Sequence, residues 1–397
     1  MTARKRWGAF GVLLALVALA SAAVGTGVGG SQPNAQAPIV IGWAFDSKGN
    51  MAPFDGPALA AAKERVSQLN ARGGVNGRPL RIDTCDTNNN NAAKAKSCAA
   101  QLLGKGAHVI FTTCDVDFAT PVVQESLRAG KLTIAPCIGT DQMGPKRFGA
   151  AGRLAFSYGN VAQDEGSAMA EYAWRKGWRN AKLATNTLLV YFKNVVQAFE
   201  KRFTQLGGKI VGRESYATGA NNVNTAVSRL NGGSRADVIV TSTAFAELPA
   251  LVSGLRSLGN TTPILNSWAG DGTYWLPKSP QVTEYYAVTF ASAFGDDPNK
   301  AVRALAKKLK AFTGGFVTGS AAVDGVVTAI RRSGGSTNGA RLAATMEKFR
   351  KVPTLSGLVS FSPKFHTVFG RQYRVIKIQN NKARYVGAVT AKVVPTI

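Results

Sequence analysis

With 48 Lys and Arg against 22 Asp and Glu in 397 residues, the chain carries a formal charge of +26, which draws a protein toward anionic surfaces and ligands. The cations are scattered along helical and turn segments, with no long basic run and no basic–aromatic repeat, and this argues against a nucleic-acid binder. Neither of the two histidines, His108 and His366, comes with a nucleophile-and-acid arrangement, and no glycine-rich phosphate loop follows the first predicted strand, so little points to an enzyme.

Residues 1–37 have the three-part shape of an export signal. The basic residues Arg4, Lys5 and Arg6 precede an apolar run over residues 8–20, and small residues come next. The Ala-x-Ala pattern needed for cleavage occurs at residues 20–22 and 35–37. The apolar run is short for a membrane span, and no Cys ends it to accept a lipid. The mature protein is therefore expected to be periplasmic or secreted, cell-envelope associated and not membrane-spanning. Removing the leader takes away only three cations, so a solvated basic surface or loose contact with anionic envelope polymers remains. The roughly 360 residues beyond it exceed what one core usually serves, so two domains are expected. Hydrophobic residues, 45% of the chain, suffice for their cores.

The first mature stretch, residues 38–45, reads as a strand. A loop with Met51 and Phe54 comes after it, and Leu59, Ala62, Val66 and Leu69 recur at helical spacing. Residues 78–84 give a second strand and residues 92–104 a second helix. Residues 108–114 are an apolar, β-branched run that predicts a buried parallel strand, then a polar turn, then a helix opening near Thr120 and Pro121. Residues 131–136 form the next strand. In an open α/β sheet, ligands collect at the carboxyl ends of the strands, which places Thr112, Thr113, Asp115 and Thr140 along one edge of a cleft. Residues 142–152 read as surface loop.

A second α/β set then begins. Helices are predicted over residues 162–176, 195–206, 223–230 and 248–258, with strands over 181–185, 209–216, 237–242 and 262–267. Residues 285–294 cross back. Three helical stretches come next at residues 299–312, 319–333 and 339–350, and candidate strands at 357–361, 372–379 and 382–394 close the chain. The expected architecture is α/β, with two similar Rossmann-like lobes whose central sheets are parallel and which a multi-strand hinge joins. Lobe 1 takes residues 38–155 plus about 292–353, and lobe 2 takes 156–291 plus about 354–397. Such lobes open and close around a ligand.

All four cysteines lie in the first third of the chain. In an exported protein an even count favours disulfides. Of the three pairings, Cys85–Cys98 and Cys114–Cys137 are favoured, because each joins segments expected to be neighbours. The short paired spacings of a four-thiolate zinc site are missing, and no metal or other cofactor is expected.

Residues 69–80, LNARGGVNGRPL, resemble the opening signature of the periplasmic branched-chain-amino-acid-binding family. Pro136 with Thr140 and the segment around Tyr191 resemble later family positions. The resemblance covers nearly all the mature chain. It implies a type I periplasmic-binding fold, no catalysis, and a solute receptor that delivers a small molecule to the membrane permease of an ABC importer. A monomer is expected.

The family's ligand positions carry over in part. Thr140 matches a position that bonds a ligand carboxylate, and Tyr191 matches an aromatic beside the ligand. Asp115 stands where a serine is usual, and Trp268 stands where the acidic partner of a ligand ammonium is usual, with Asp271 a few residues on. Both ends of an amino-acid zwitterion thus lose a standard partner, and an uncompensated charge in a closed cleft is expensive. Phe54, Tyr191, Phe192, Phe245 and Trp268 offer aromatic walls, while Thr113, Asp115 and Asp271 offer polar contacts. The expected ligand is partly apolar or aromatic, with hydroxyl or amine groups. The alternatives are an amino acid held by unusual contacts and, second, a secreted enzyme.

Overall fold

The computed structural model describes residues 36–217 and 219–397. The leader, up to residue 35, lies outside the described residues.

The first sheet is built from β1 (Ile39–Phe45), β2 (Leu80–Asp86), β3 (Val109–Phe111), β4 (Leu132–Ala135) and β5 (Ala155–Asn160), linked by α1 (Ala52–Asn70), α2 (Ala92–Gly104) and α3 (Val116–Arg128). Alternation along β1 explains the layering. Ile39, Ile41 and Trp43 point into one core and Val40 and Ala44 into another, where α2 packs. The helix α3 begins at Val116, earlier than Pro121 suggests, because the Asp115 side chain caps it by accepting the N–H groups of Asp117 and Phe118.

After β5 the chain crosses to the second lobe. That lobe comprises α4 (Ala162–Arg175), β6 (Asn180–Asn186), α5 (Val190–Gln205), β7 (Lys209–Tyr216), α6 (Ala220–Asn231), β8 (Val238–Ser242), α7 (Glu247–Ser257), β9 (Ile264–Asn266) and β10 (Tyr285–Thr289). The chain returns through α8 (Lys300–Leu309), α9 (Val317–Arg332) and α10 (Gly339–Met346) to pack on the first lobe. A small hairpin of β11 (Val352–Thr354) and β12 (Gly357–Val359) precedes β13 (Thr367–Val368), β14 (Tyr373–Gln379) and β15 (Lys382–Val389). The helix α9 lies against α1 so closely that a Cβ on Gly319 would overlap the carbonyl of Ala58.

The strand order is β13-β5-β4-β3-β1-β2 in the first sheet and β15-β14-β10-β9-β8-β6-β7 in the second. Pairing is parallel except where β14 joins β10 and β15 joins β14. The fold is two α/β lobes crossed three times, between β5 and α4, between β10 and α8, and between β13 and β14. Pairing assigns residues 155–160 and 367–368 to the first sheet, whereas the expected boundaries give all but residue 155 to the second lobe. A two-residue strand has no periodicity to read. β13 is held by backbone bonds from Ser157 to His366 and from Val161 to Val368.

Cys85 is joined to Cys98, tying the end of β2 to α2, and Cys114 to Cys137, tying the turn after β3 to the segment after β4. The second bridge closes a 23-residue separation. Replacing both Cys114 and Cys137 by Ser is expected to lower the unfolding free energy by about 3 kcal/mol, read from the denaturant midpoint at constant slope.

Candidate functional site

The carboxyl ends of β3 and β4 in one lobe face those of β8 and β9 in the other, and a cavity of about 20 Å³ lies between them. From the first lobe, Met51 and Phe54 at the start of α1, Cys114 and Asp115 in the β3 turn, and Gly139 line it. From the second, Leu189, Tyr191 and Phe192 at the start of α5, Ala244 and Phe245 after β8, and Trp268 and Ala269 after β9 complete it.

Rings dominate. Phe54 crosses from the first lobe and meets Trp268 edge-on at a centroid distance of 5.0 Å and Phe245 at 6.3 Å. Tyr191 lies 6.1 Å from Trp268, and Phe192 lies 6.0 Å from Phe245. Tilted and edge-to-face arrangements of this kind are favourable beyond their burial. Two backbone features aim the rings. Phe245 has φ of 56°, a left-handed conformation that costs a non-glycine residue energy and recurs at ligand sites. Gly139 has no side chain because a Cβ there would sit 2.5 Å from Cε2 of Tyr191.

Three buried carboxyl groups hold the walls. Glu165, in the first turn of α4, accepts the Trp268 backbone N–H at 2.7 Å and the Tyr191 hydroxyl at 2.8 Å. Burial pushes its carboxyl up to about 8. Asp55 accepts the N–H of Asp46 at 2.8 Å and of Cys114 at 2.9 Å, locking α1 to the β3 turn, and burial raises it to about 8. Asp115 caps α3 and also lines the cavity. Burial, and then the charge of Asp117, push it up to about 7.

The structure thus brings together Phe54, Asp115, Tyr191, Phe245 and Trp268 around one cavity. Thr113, Thr140 and Asp271 do not line it. Thr113 is buried beside the Asp55 carboxylate. Thr140 accepts the Gln142 N–H through its hydroxyl and the Thr367 hydroxyl through its carbonyl. The Asp271 carboxylate is enclosed by the hydroxyls of Thr289 and Thr313 and the N–H of Gly314, so it fastens the crossing that leaves β10. Sequence reasoning missed Asp55 and Glu165 as site-building groups. The signal for Glu165 was an acidic pair, Asp164 and Glu165, entering a helix whose next residues are small and apolar. One polar atom of the cage is unmatched: the indole Nε1 of Trp268 is buried without a partner among the described residues.

A family model described as periplasmic binding protein matches residues 38–383. No curated protein sequence matches the chain. Among solved structures, the branched-chain amino acid substrate-binding protein LivJ of Streptococcus pneumoniae, in complex with isoleucine, is similar over 90% of this chain and 100% of its own, at 19% identity and a TM-score of 0.74. A solute-binding protein of an ABC transporter from R. palustris, in complex with 4-hydroxybenzoate, is similar over 90% and 98%, at 18% identity and a TM-score of 0.76. The leucine-binding protein LivK of Thermotoga maritima covers 88% and 98%, at 17% identity and a TM-score of 0.74.

Because the folded-state carboxyl of Glu165 is raised from 4.5 to about 8, the folded protein binds this proton more tightly than the unfolded chain. Its contribution to stability is therefore greatest below the unfolded value and is lost as pH climbs through the folded one. Glu165→Gln is expected to flatten the fall in melting temperature between about pH 5 and 8, checked by calorimetry in matched buffers; an unchanged slope refutes it.

Proposed function

The chain belongs to the periplasmic binding protein family, and on that premise we propose that it captures a partly apolar or aromatic solute, bearing hydroxyl or amine groups, in the interlobe cleft and hands it to the permease of an ABC importer. Relatives of this fold hold isoleucine in one case and 4-hydroxybenzoate in another, so the fold leaves the choice of solute to the side chains of the cleft. The observation that carries the reading is the ring cage, with Phe54 of one lobe set against Trp268 and Phe245 of the other. The unpartnered Trp268 indole N–H suits a ligand oxygen, and Asp115 suits a hydroxyl or a cationic group.

A cavity of about 20 Å³ has room for little more than a water. An aromatic solute therefore enters when the lobes part, and the rings then close on it. Residues 1–37 are read as the export signal that delivers the protein outside the cytoplasm. The protein is read as working as a monomer, with no cofactor and no catalytic step. Among the described residues no helix is long and apolar enough to cross a membrane.

The test is a melting-temperature screen of small aromatic and aliphatic solutes against the purified protein, since a ligand that binds only the folded state raises it. Hydroxylated or amine-bearing aromatic compounds are expected to raise it with 1:1 stoichiometry, and Trp268→Ala is expected to weaken the best of them at least about tenfold. A shift by branched-chain amino acids alone overturns the reading. For an amine-bearing ligand, affinity is expected to rise as pH passes about 7 and Asp115 ionises. Asp115→Asn, which still caps α3, is expected to abolish that rise in titrations at a series of pH values.

A further inference from the structure

The second lobe carries another concavity, of about 390 Å³, between the carboxyl-terminal end of α4 and the β14–β15 end of the sheet. Tyr172, Arg175, Lys176, Tyr286, Lys377 and Arg384 line it, so four cations face the groove and no carboxylate does. Lys377 is paired with Glu284 from beside the groove, and Arg175 donates to the carbonyl of Ala388. Lys176 and Arg384 are exposed; the charge of Glu284 reaches Lys176 without a direct ion pair.

The strand register makes this arrangement unusual. Lys377 and Arg384 stand directly opposite each other across β14 and β15, and Tyr286 stands opposite Lys377 across β10 and β14. Like charges in register across a sheet repel; here Glu284 offsets the charge of Lys377 and leaves that of Arg384 exposed. Beside this pair the register slips and leaves Val386 as the unpaired residue of a bulge on the edge strand, with 37% of its surface exposed. Bulges at sheet edges re-aim side chains.

Cations on long stems beside an exposed valine are the chemistry of the boundary between water and lipid headgroups, with the buried rings of Tyr172 and Tyr286 as the floor of the groove. We infer that this groove docks the protein on an anionic membrane surface, with a lipid phosphate seated between Lys176 and Arg384. Charge complementarity selects that occupant in a chain of +26. The groove shares no residue with the solute-binding cleft.

The test uses protein purified from the envelope of an expressing cell, in the processed form that the cell leaves, and phosphatidylcholine vesicles with or without phosphatidylglycerol. Binding is expected only to the vesicles with phosphatidylglycerol. The pair Lys176→Gln with Arg384→Gln is expected to lower the vesicle partition coefficient about tenfold or more. The control pair Lys105→Gln with Lys348→Gln removes the same charge from exposed positions in the first lobe and is expected to change it little. Equal losses from both pairs overturn the inference, because net charge alone then explains binding. Absence of binding to anionic vesicles overturns it, as does groove-dependent binding to soluble polyphosphate or an acidic peptide without binding to vesicles. Unaltered melting temperatures establish that the variants fold. Neither pair touches the cleft, so failure here leaves the solute-binding reading standing.

Discussion

Burying a carboxyl group is costly unless its oxygens find hydrogen-bond partners, and this molecule depends on such partners at its centre. The chain passes between the lobes three times, and at each lobe's inner edge the ends of separate elements have to be held in register. Asp55, Glu165 and Asp271 do this by accepting backbone N–H groups from segments far away in sequence. Glu165 is the most consequential of them. One of its oxygens fixes the turn that carries Trp268, and the other fixes Tyr191. The ring cage is therefore attached to the first residues of the helix that succeeds the first crossing.

This coupling links the contact between the lobes to the cleft's chemistry. Phe54 arrives on the first lobe, where Asp55, its neighbour in sequence, is bonded to the β3 turn. Trp268 and Tyr191 arrive on the second lobe under the control of Glu165. In this arrangement rings held by one set of carboxyl groups meet rings held by another. The left-handed backbone of Phe245 and the missing side chain of Gly139 allow the close approach. The basic groove on the outer side of the second lobe is built on a different principle, with Arg384 set across paired strands from a Lys377 that Glu284 holds.

The apolar run before Cys114, the helical spacing from Leu59 to Leu69 and the glycine-rich signature at residues 69–80 make parallel sheets flanked by helices legible in the residues alone. Several cleft rings are legible too, because their positions fall just after strands. Asp115 is both a cleft residue and a helix cap, since one carboxylate does both where a helix begins at a cavity wall. Asp271 and Thr140 depart from their expected places for a shared reason. A polar residue just past a strand can face the cleft or face the crossing segments, and local sequence does not distinguish the two. The edge strand β13 is invisible to pattern reading because two residues carry no period.

By itself, the sequence determined the features that arise from short-range patterning and composition: the α/β class, the two-lobe size, the basic surface and the aromatic character of the cleft. These depend on side-chain periodicity and residue chemistry, which are local. The tertiary structure decided which carboxylates are buried, which rings meet across the lobes, where the chain crosses, and that Lys377 and Arg384 face each other. Those depend on contacts between residues distant along the chain, whose free energies exist only after the sheets have formed and the backbone donors have found their acceptors.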